Sequence, residues 1–341
     1  MIGFASDYQE GCHPEILRRL AETNLEQTSG YGTDPYCEQA AAMIRRRFSC
    51  EGAAVHFLVG GTQANTVVIA AALRSYEGVL CADTGHINVH ETGAIEAAGH
   101  KVLALPGKDG RITSAQVSVA AALQADDEHT VRPGMVYISL STELGTIYSK
   151  AQLSDLYQTC RQLGLYLFID GARLGYALTS PACDLAPEDI ARCCDAFTIG
   201  GTKVGALFGE AVVLVNPALQ PRFRYVMKQR GAMLAKGRLL GLQFQALMEE
   251  DRYLSIARHA VEEAMRIRQA LKDKQIPLLI DSPTNQLFPI LTDGQLETLE
   301  AAFGFSTWER LDEHRTAIRL CTSWATPAEN VNALIAAIQG L

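Results

Sequence analysis

The sequence lacks a long apolar run and an excess of positive charge. Its most apolar stretch, residues 67–73, is far shorter than the roughly 20 apolar residues that a membrane-spanning helix needs. The 30 Lys and Arg residues are outnumbered by 38 Asp and Glu residues, which gives a formal net charge of −8. A general nucleic-acid-binding protein needs a basic face that neutralises phosphates. We therefore expect neither a membrane protein nor a nucleic-acid-binding protein.

Paired cysteines and a leader segment are also missing. None of the nine cysteines belongs to a Cys-x-x-Cys pair, and Cys193 and Cys194 are adjacent, so no metal site is expected. The first seven residues have neither the basic nor the apolar segment of a secretory signal. Together these absences predict reduced thiols and a cytoplasmic enzyme.

Length and composition indicate a folded protein of two domains. The chain has 341 residues, of which 48% are hydrophobic and 20% are charged, as in ordinary globular proteins. At roughly 100–200 residues per domain, this length predicts two domains. We place an N-terminal arm and a large domain that ends in a long helix at residues 1–250. A small α+β domain is predicted at residues 251–341.

Short apolar runs alternate with segments of helical periodicity. Buried strands are predicted at residues 53–59, 136–140, 165–169, 196–199 and 211–215, and helices at 62–74 and 151–163. This alternation predicts a mostly parallel sheet in an α/β fold. Farther along, the periodicity predicts long helices at 222–250 and 254–272, followed by strands at 286–291 and 317–321 and helices at 295–302 and 327–338.

Chemistry-bearing residues follow three of the predicted strands, at the edge where open α/β sheets bind ligands. Gly60, Gly61 and Thr62 could hold a phosphate with backbone N–H groups at a helix N-terminus, or form only a tight turn with a capping threonine. Asp170 is either a turn residue or the counter-ion of a buried cation. Lys203 is either solvated or a Schiff-base lysine in a desolvated pocket.

The order of these groups resembles that of fold-type I enzymes dependent on pyridoxal 5′-phosphate (PLP). Lys203 lies 33 residues after Asp170, and the phosphate cradle precedes both. Further segments resemble the low-specificity L-threonine aldolases of the beta-eliminating lyase superfamily, and they lie at residues 4–7, 31–34, 61–65, 142–146, 170–173, 200–203, 209–211 and 319–324. The resemblance implies an aspartate-aminotransferase-like three-layer domain with a small α+β C-terminal domain.

The resemblance also implies roles for individual residues toward PLP. Lys203 is expected to form the Schiff base, and Asp170 to hold the pyridine nitrogen protonated. His86 is expected to cover one face of the ring and to take the β-hydroxyl proton, with His90 as a rival and Glu91 orienting either imidazole. The expected phosphate and ring contacts come from the set Gly61, Thr62, Arg173, Lys228 and Lys236, the two lysines acting across a dimer interface.

Substrate binding is the last group of roles that the resemblance implies. Arg319 and Arg173 are expected to bind the α-carboxylate, with Ser6 and Tyr31 nearby. The commoner threonine aldolases carry an Asn-Thr-His-Asn run whose histidine contacts the substrate hydroxyl. This chain has Thr-Glu-Leu-Gly-Thr at residues 142–146, which makes Glu143 the candidate replacement.

The expected activity is therefore cleavage of β-hydroxy-α-amino acids, such as L-threonine or L-allo-threonine, to glycine and an aldehyde. The alternatives are another PLP lyase of the β-eliminating type, a transaminase, or a non-catalytic PLP-binding protein. The resemblance also implies a homodimer or homotetramer.

Overall fold

A computed structural model of the chain describes residues 1–123 and 127–341. The strands are β1 (Ile2–Gly3), β2 (Ala54–Leu58), β3 (Glu77–Ala82), β4 (Val102–Leu105), β5 (Arg132–Ser139), β6 (Tyr166–Asp170), β7 (Ala196–Gly200), β8 (Glu210–Leu214), β9 (Gln286–Leu287), β10 (Ile290–Thr292), β11 (Phe303–Gly304), β12 (Ser306–Arg310) and β13 (Arg315–Cys321).

The α-helices are α1 (Pro14–Glu22), α2 (Pro35–Arg47), α3 (Gly61–Ala72), α4 (His86–Val89), α5 (Ala94–Ala97), α6 (Ser114–Leu123), α7 (Lys150–Leu163), α8 (Leu174–Leu178), α9 (Pro187–Arg192), α10 (Phe223–Gln229), α11 (Arg238–Met248), α12 (Arg252–Asp273), α13 (Asp293–Glu300) and α14 (Ala328–Gly340). Within the described ranges, no helix is long and apolar enough to cross a membrane.

A seven-stranded sheet in the order β2-β8-β7-β6-β5-β3-β4 forms the centre of the large part of the molecule. Every neighbouring pair in it is parallel except the two pairs made by β8. Side chains along β5 alternate between two apolar clusters, with Val136 and Ile138 in one and Met135 and Tyr137 in the other. Both faces of the sheet are therefore covered, which confirms the predicted three-layer α/β architecture.

The C-terminal part has its own antiparallel sheet and apolar core. Strands β10, β13 and β12 lie side by side, β9 also pairs with β13, and α12 and α14 pack together beside them. The N-terminal arm joins this part, because β1 pairs with β11 and Phe4 is buried in the same apolar cluster. The arm thereby carries Ser6 and Asp7 to the boundary between the two sheets.

The prediction of one long helix at residues 222–250 is wrong. The structure has two shorter helices there, α10 and α11, separated by a turn. Gly231 in that turn has a φ of 67°, a left-handed conformation that favours glycine and is incompatible with a continuing helix. Gly237 packs against Gly32, where an added Cβ would lie 2.5 Å from a backbone nitrogen. The next predicted helix, at residues 254–272, is confirmed as α12.

The single strand predicted at residues 286–291 is also wrong in detail. It is divided into β9 and β10, with Phe288 and Pro289 between them. Proline has no N–H group to donate to a strand ladder, so an interruption at this position is expected.

Candidate active site

The ends of five central strands enclose one cavity of about 350 Å³. Strands β2, β5, β6 and β7 contribute residues at or just after their carboxyl ends. Strand β8 runs in the opposite direction and contributes its first residue, Glu210. The lining residues are Tyr8, Val59, Gly60, Gly61, Thr62, His86, Ser139, Ser141, Glu143, Asp170, Ala172, Arg173, Thr202, Lys203, Phe208 and Glu210. The structure thus brings the three predicted groups of residues to one place.

An anion cradle forms one wall of the cavity. Gly60 is the N-cap of the 12-residue helix α3, and no side chain caps the first N–H groups of that helix. A Cβ added to Gly60 or Gly61 would meet no other atom within 4 Å, so both glycines border open space. Free N–H groups and the positive end of the helix dipole suit a phosphate.

Asp170 is held as a carboxylate at the end of β6. Its Oδ2 atom accepts hydrogen bonds from Tyr137 Oη at 2.6 Å and Asn65 Nδ2 at 2.9 Å, and its Oδ1 atom accepts one from the Ala172 N–H at 2.9 Å. Burial alone would raise the pKa of Asp170, but the charge of His86 and these hydrogen bonds lower it below its ordinary value. The side chain is therefore a fixed anion that faces the cavity.

The half-buried His86 and the buried Glu91 form a dyad beside Asp170. Glu91 Oε1 lies 2.8 Å from His86 Nδ1 and also accepts a hydrogen bond of 2.7 Å from Asn65 Nδ2. A proton on Nδ1 that points at Glu91 leaves Nε2 of the neutral imidazole as an acceptor. Burial opposes the charged form of His86, yet the hydrogen bond to Glu91 and the charge of Asp170 raise the pKa of His86 overall.

Replacing Glu91 by glutamine is expected to lower the pKa of His86, because the substitution removes the principal group that raises it. The measurement is the pH dependence of the His86 ring resonance in histidine-labelled protein. Glu96→Gln, an exposed position five residues later, is the matched control and leaves that pKa unchanged. A Glu91→Gln variant whose His86 titrates within about 0.2 units of the unmodified chain contradicts the prediction.

Arg173 makes a two-pronged ion pair with Asp7 of the N-terminal arm. Its Nε and Nη2 atoms lie 2.7 and 2.9 Å from the two Asp7 oxygens, and Asn285 Nδ2 donates a further hydrogen bond of 2.9 Å to Asp7. Burial would raise the pKa of Asp7, but the charges of Arg173 and Lys203 lower it to about 2. Arg173 is thus fixed in the cavity wall by the arm.

Replacing Asp7 by asparagine is expected to destabilise the fold by about 3–5 kcal/mol, because it leaves the Arg173 charge buried without a partner. Urea unfolding at neutral pH measures the loss. The lowered pKa also means that Asp7 stabilises the fold above pH 3.8 and that this stabilisation, about 2 kcal/mol, disappears as the pH falls toward 2.

The Asp7→Asn variant should lack that acid-dependent contribution. Asp273→Asn, at an exposed position on α12, is the control for a substitution of the same kind. A difference between Asp7→Asn and the unmodified chain below about 0.5 kcal/mol at neutral pH is the result that contradicts this expectation.

Other cations converge near Arg173. His90, the rival of His86, is exposed and does not line the cavity, and its ring centroid lies 5.5 Å from that of His86. Partial desolvation and the charges of His86 and Arg319 lower the pKa of His90. Arg319, on β13, donates from Nη2 to the Ala5 carbonyl at 3.1 Å, so it lies beside Ser6. Arg319 Nε is buried without a partner in the described part of the chain. An anionic group of a ligand could satisfy it.

Lys203 lies in the turn that follows β7. Its backbone carbonyl accepts a hydrogen bond from Tyr176 Oη, and its side chain lines the cavity. Burial and the charge of Arg173 lower the pKa of Lys203, while Asp7, Asp170 and Glu210 act in the opposite direction. A lowered pKa favours the neutral amine, which is the nucleophilic form of lysine.

Glu143 also reaches the cavity, as predicted. Its Oε1 atom accepts hydrogen bonds from Ser139 Oγ at 2.6 Å and from the His86 N–H at 3.0 Å. Burial raises the pKa of Glu143, and the hydrogen bond from Ser139 opposes that shift. The side chain therefore ties the start of α4, and with it His86, to the end of β5.

Five predicted site residues do not line the cavity of Lys203, namely Ser6, Tyr31, Lys228, Lys236 and Arg319. Tyr31 lines a different cavity of about 270 Å³, and Lys228 Nζ lies over its ring at 4.5 Å. Lys236 is exposed in the turn before α11. The roles of Tyr31, Lys228 and Lys236 therefore stay predictions that depend on a second copy of the chain.

Sequence reasoning missed several residues that line the cavity or hold the side chains that line it. Tyr137 and Asn65 bind Asp170 from separate elements, and Asp7 binds Arg173 across 166 residues of sequence. Glu210 could have been found, because it directly precedes a predicted apolar strand. Glu210 lines the cavity only because that strand runs antiparallel to its neighbours, which the sequence pattern does not reveal.

The cavity suits PLP better than a metal ion. Across the described ranges, no group of three or more His, Cys, Asp or Glu side chains is placed to hold a metal. The anion cradle at Gly60 and Gly61, the fixed carboxylate of Asp170 and the buried amine of Lys203 match a phosphate, a pyridine nitrogen and an aldehyde respectively.

Comparisons with known proteins agree with this geometry. The sequence model of the beta-eliminating lyase family matches residues 3–293. The low-specificity L-threonine aldolase of Pseudomonas aeruginosa is 32% identical over 336 residues, covering 97% of this chain and 95% of the relative.

Solved structures extend the similarity to the fold. A threonine aldolase from Leishmania major is 43% identical, with a TM-score of 0.98 over 100% of this chain and 99% of that one. An aspartate aminotransferase variant from Thermus thermophilus has a TM-score of 0.72 at 14% identity over 100% of this chain and 91% of that one. The latter similarity concerns the fold alone.

Proposed function

Because the chain belongs to the beta-eliminating lyase family, and within it to the low-specificity L-threonine aldolases, we propose that it cleaves L-threonine and related β-hydroxy-α-amino acids to glycine and an aldehyde. It is a PLP-dependent carbon–carbon lyase. The observation that carries this conclusion is the shared cavity of Lys203, Asp170, His86 and the anion cradle, in a chain so similar to threonine aldolases.

The chain's own residues are arranged to hold the cofactor in one orientation. Lys203 would bind it covalently, the backbone at Gly61 and the Thr62 hydroxyl would bind its phosphate, and Asp170 would keep its ring nitrogen protonated. When bound, PLP supplies an electron sink for the negative charge that develops on the substrate α-carbon. The carboxylate of Asp170 serves that purpose because its lowered pKa keeps it ionised at neutral pH.

Substrate binding is assigned to two arginines, of which Arg173 lines the cavity and Arg319 lies beside the N-terminal arm. Arg319 and Arg173 are proposed to bind the α-carboxylate, with Ser6 adding a hydroxyl. The pairing of Arg173 with Asp7 leaves part of its guanidinium available and fixes its direction. Arg319, with Nε free of a protein partner in the described residues, is the better candidate for the direct contact.

Proton transfer is assigned to His86. Its Nε2 atom, kept as an acceptor by Glu91 at Nδ1, is proposed to take the proton from the substrate β-hydroxyl oxygen. Glu143 positions His86 through the backbone N–H and is the second candidate for contact with that hydroxyl. A base at this oxygen favours breakage of the Cα–Cβ bond, because the departing carbon becomes an aldehyde.

A homo-oligomer in the cytoplasm is the proposed form of the enzyme. Several large apolar side chains are exposed in the single chain, among them Tyr8, Leu25, Tyr31, Leu207 and Tyr225. A second copy could cover them and bring Lys228 and Lys236 toward a neighbouring phosphate. All nine cysteines are free thiols, which suits a reducing compartment.

A substrate panel tests the proposed activity. Purified protein supplied with PLP is offered L-threonine, L-allo-threonine, L-tyrosine, L-tryptophan and L-cysteine, and glycine, pyruvate and ammonia are measured. We expect glycine from the first two and no pyruvate from the others. Pyruvate and ammonia from the last three, without glycine from the first two, would identify a β-eliminating lyase instead.

A further inference from the structure

Trp308 is a half-buried residue of the C-terminal part that the proposed chemistry does not use. It interrupts the pairing of β12 with β13, because its two neighbours, Thr307 and Glu309, lie opposite consecutive residues of β13. Trp308 is therefore the extra residue of a β-bulge. Such bulges bend a strand, redirect a side chain and are frequent next to active sites.

The indole of Trp308 lies over the guanidinium of Arg319. The guanidinium carbon is 5.7 Å from the centre of the indole ring, within the distance at which a cation is attracted to an aromatic face. The fully buried ring of Phe288 meets the indole edge to face, with centroids 4.9 Å apart and an interplanar angle of 71°. Phe288 thus fixes the indole, and the indole fixes the guanidinium.

Arg319 extends from β13 away from the apolar core of the C-terminal part. Its neighbours Ile318 and Leu320 are buried in that core, and side chains alternate between the two faces of a strand. Arg319 Nη2 donates to the Ala5 carbonyl at 3.1 Å, and Nε has no partner in the part of the chain that the structure describes. A carbonyl and an indole hold this side chain, and neither neutralises its charge.

Arg319 lies close to the cavity of Lys203 although it does not line it. It holds the N-terminal arm at Ala5. Arg173, which lines the cavity, holds the same arm at Asp7. Two residues of extended chain span at most about 7 Å, so the two arginines lie next to each other along the arm. A carboxylate bound beside Arg173 is therefore exposed to both positive charges.

We propose that Trp308 is a positioning residue that holds the Arg319 guanidinium in place for the α-carboxylate of the substrate. This inference rests on the proposed function, which assigns that carboxylate to Arg319. A side chain that is already held loses less rotamer freedom when a ligand binds. An acidic partner would also hold the arginine, but it would neutralise the charge and compete with the substrate carboxylate. The face of an indole attracts the cation and leaves its N–H groups free to donate.

Binding of two ligands that differ by one carboxylate tests the proposal. Glycine and methylamine both bind the PLP-loaded protein through an amine, and the change in visible absorbance measures their affinities. In Trp308→Leu, the affinity for glycine should fall about 10-fold, because the cation–π contact that holds Arg319 is lost. The affinity for methylamine, which has no carboxylate, should stay within about 2-fold of the unmodified chain. The KM for L-threonine should rise about 10-fold while kcat changes by less than about 2-fold.

Further variants show whether Trp308 acts through Arg319. Arg319→Met should itself lower the affinity for glycine, and in that background Trp308→Leu should cause a further loss of less than about 2-fold. Trp308→Phe keeps an aromatic face and the contact with Phe288, so its loss should be only about 3-fold. Tyr76→Leu, which removes an exposed aromatic ring elsewhere, is the control and should leave both affinities unchanged.

Three results overturn the assignment. The first is a Trp308→Leu protein whose affinity for glycine is within about 2-fold of that of the unmodified chain. The second is an equal loss of affinity for glycine and methylamine, which indicates a general distortion of the site. The third is an undiminished effect of Trp308→Leu in the Arg319→Met background. If the leucine protein does not fold, a Trp308→Phe protein with the glycine affinity of the unmodified chain decides against the proposal.

Failure of the proposed function gives a different result. An unmodified chain that binds both amines but releases no glycine from L-threonine refutes the proposed function. The ratio of the two affinities still decides in that case whether Trp308 supports carboxylate binding. An unmodified chain that binds no PLP refutes the proposed function and this inference together.

Discussion

Replacing Lys203 by alanine should remove both the visible absorbance of the PLP-loaded protein and at least about 10³-fold of its turnover. Lys203 is the lysine of the cavity, and its lowered pKa favours the neutral amine that reacts with an aldehyde. Absorbance spectra and glycine release from L-threonine measure the two effects. The size of the loss follows from the removal of a covalent anchor and a proton-carrying group in one substitution.

Lys228→Ala is the informative comparison for that experiment. Lys228 lies over Tyr31 outside the cavity of its own chain. The Lys228→Ala protein should still bind PLP covalently. If a second copy of the chain brings Lys228 near the phosphate, the substitution should lower only the affinity for PLP. A Lys203→Ala protein that retains the absorbance of the unmodified chain would show that another lysine holds the cofactor.

Replacing Asp170 by asparagine should lower kcat by about 10² to 10³-fold while PLP still attaches to Lys203. A carboxylate about 4 Å from the ring nitrogen, at an effective dielectric constant near 20, stabilises its protonated form by about 4 kcal/mol, or roughly three pKa units. Asparagine can keep the contacts with Tyr137 and Asn65 but supplies no charge. Steady-state kinetics and the absorbance spectrum measure the change.

Asp189→Asn controls for the loss of a buried aspartate elsewhere. Asp189 lies on α9, where it pairs with Lys150 and accepts a hydrogen bond from the Ala186 N–H. We expect that variant to retain the kcat of the unmodified chain. An Asp170→Asn variant with unchanged kcat would mean that the ring nitrogen does not need to be protonated for this reaction.

The sequence was sufficient to predict the site residues that directly follow a strand. Asp170 and Lys203 stand just after apolar runs, so their meeting at one sheet edge could be predicted from the rule for parallel strands. The predicted mostly parallel sheet is confirmed for the same reason. The family resemblance then identified the chemistry that these residues perform.

Residues that depend on long-range packing could not be predicted in this way. Asp7 meets Arg173 only because β1 pairs with β11 in the C-terminal part and carries the arm across the molecule. Glu210 enters the cavity because β8 runs antiparallel to β7, a direction that periodicity does not reveal. The helix predicted at 222–250 was wrong because the left-handed glycine at 231 ended it.

The most direct test of the account is the product balance from L-threonine. The PLP-loaded protein is incubated with the substrate, and glycine, acetaldehyde, 2-oxobutanoate and ammonia are measured over the same time course. We expect the unmodified protein to release glycine and acetaldehyde in equal amounts. In a parallel reaction with the Lys203→Ala protein, we expect neither product. Formation of 2-oxobutanoate and ammonia in place of glycine would contradict it, because those products keep the Cα–Cβ bond intact.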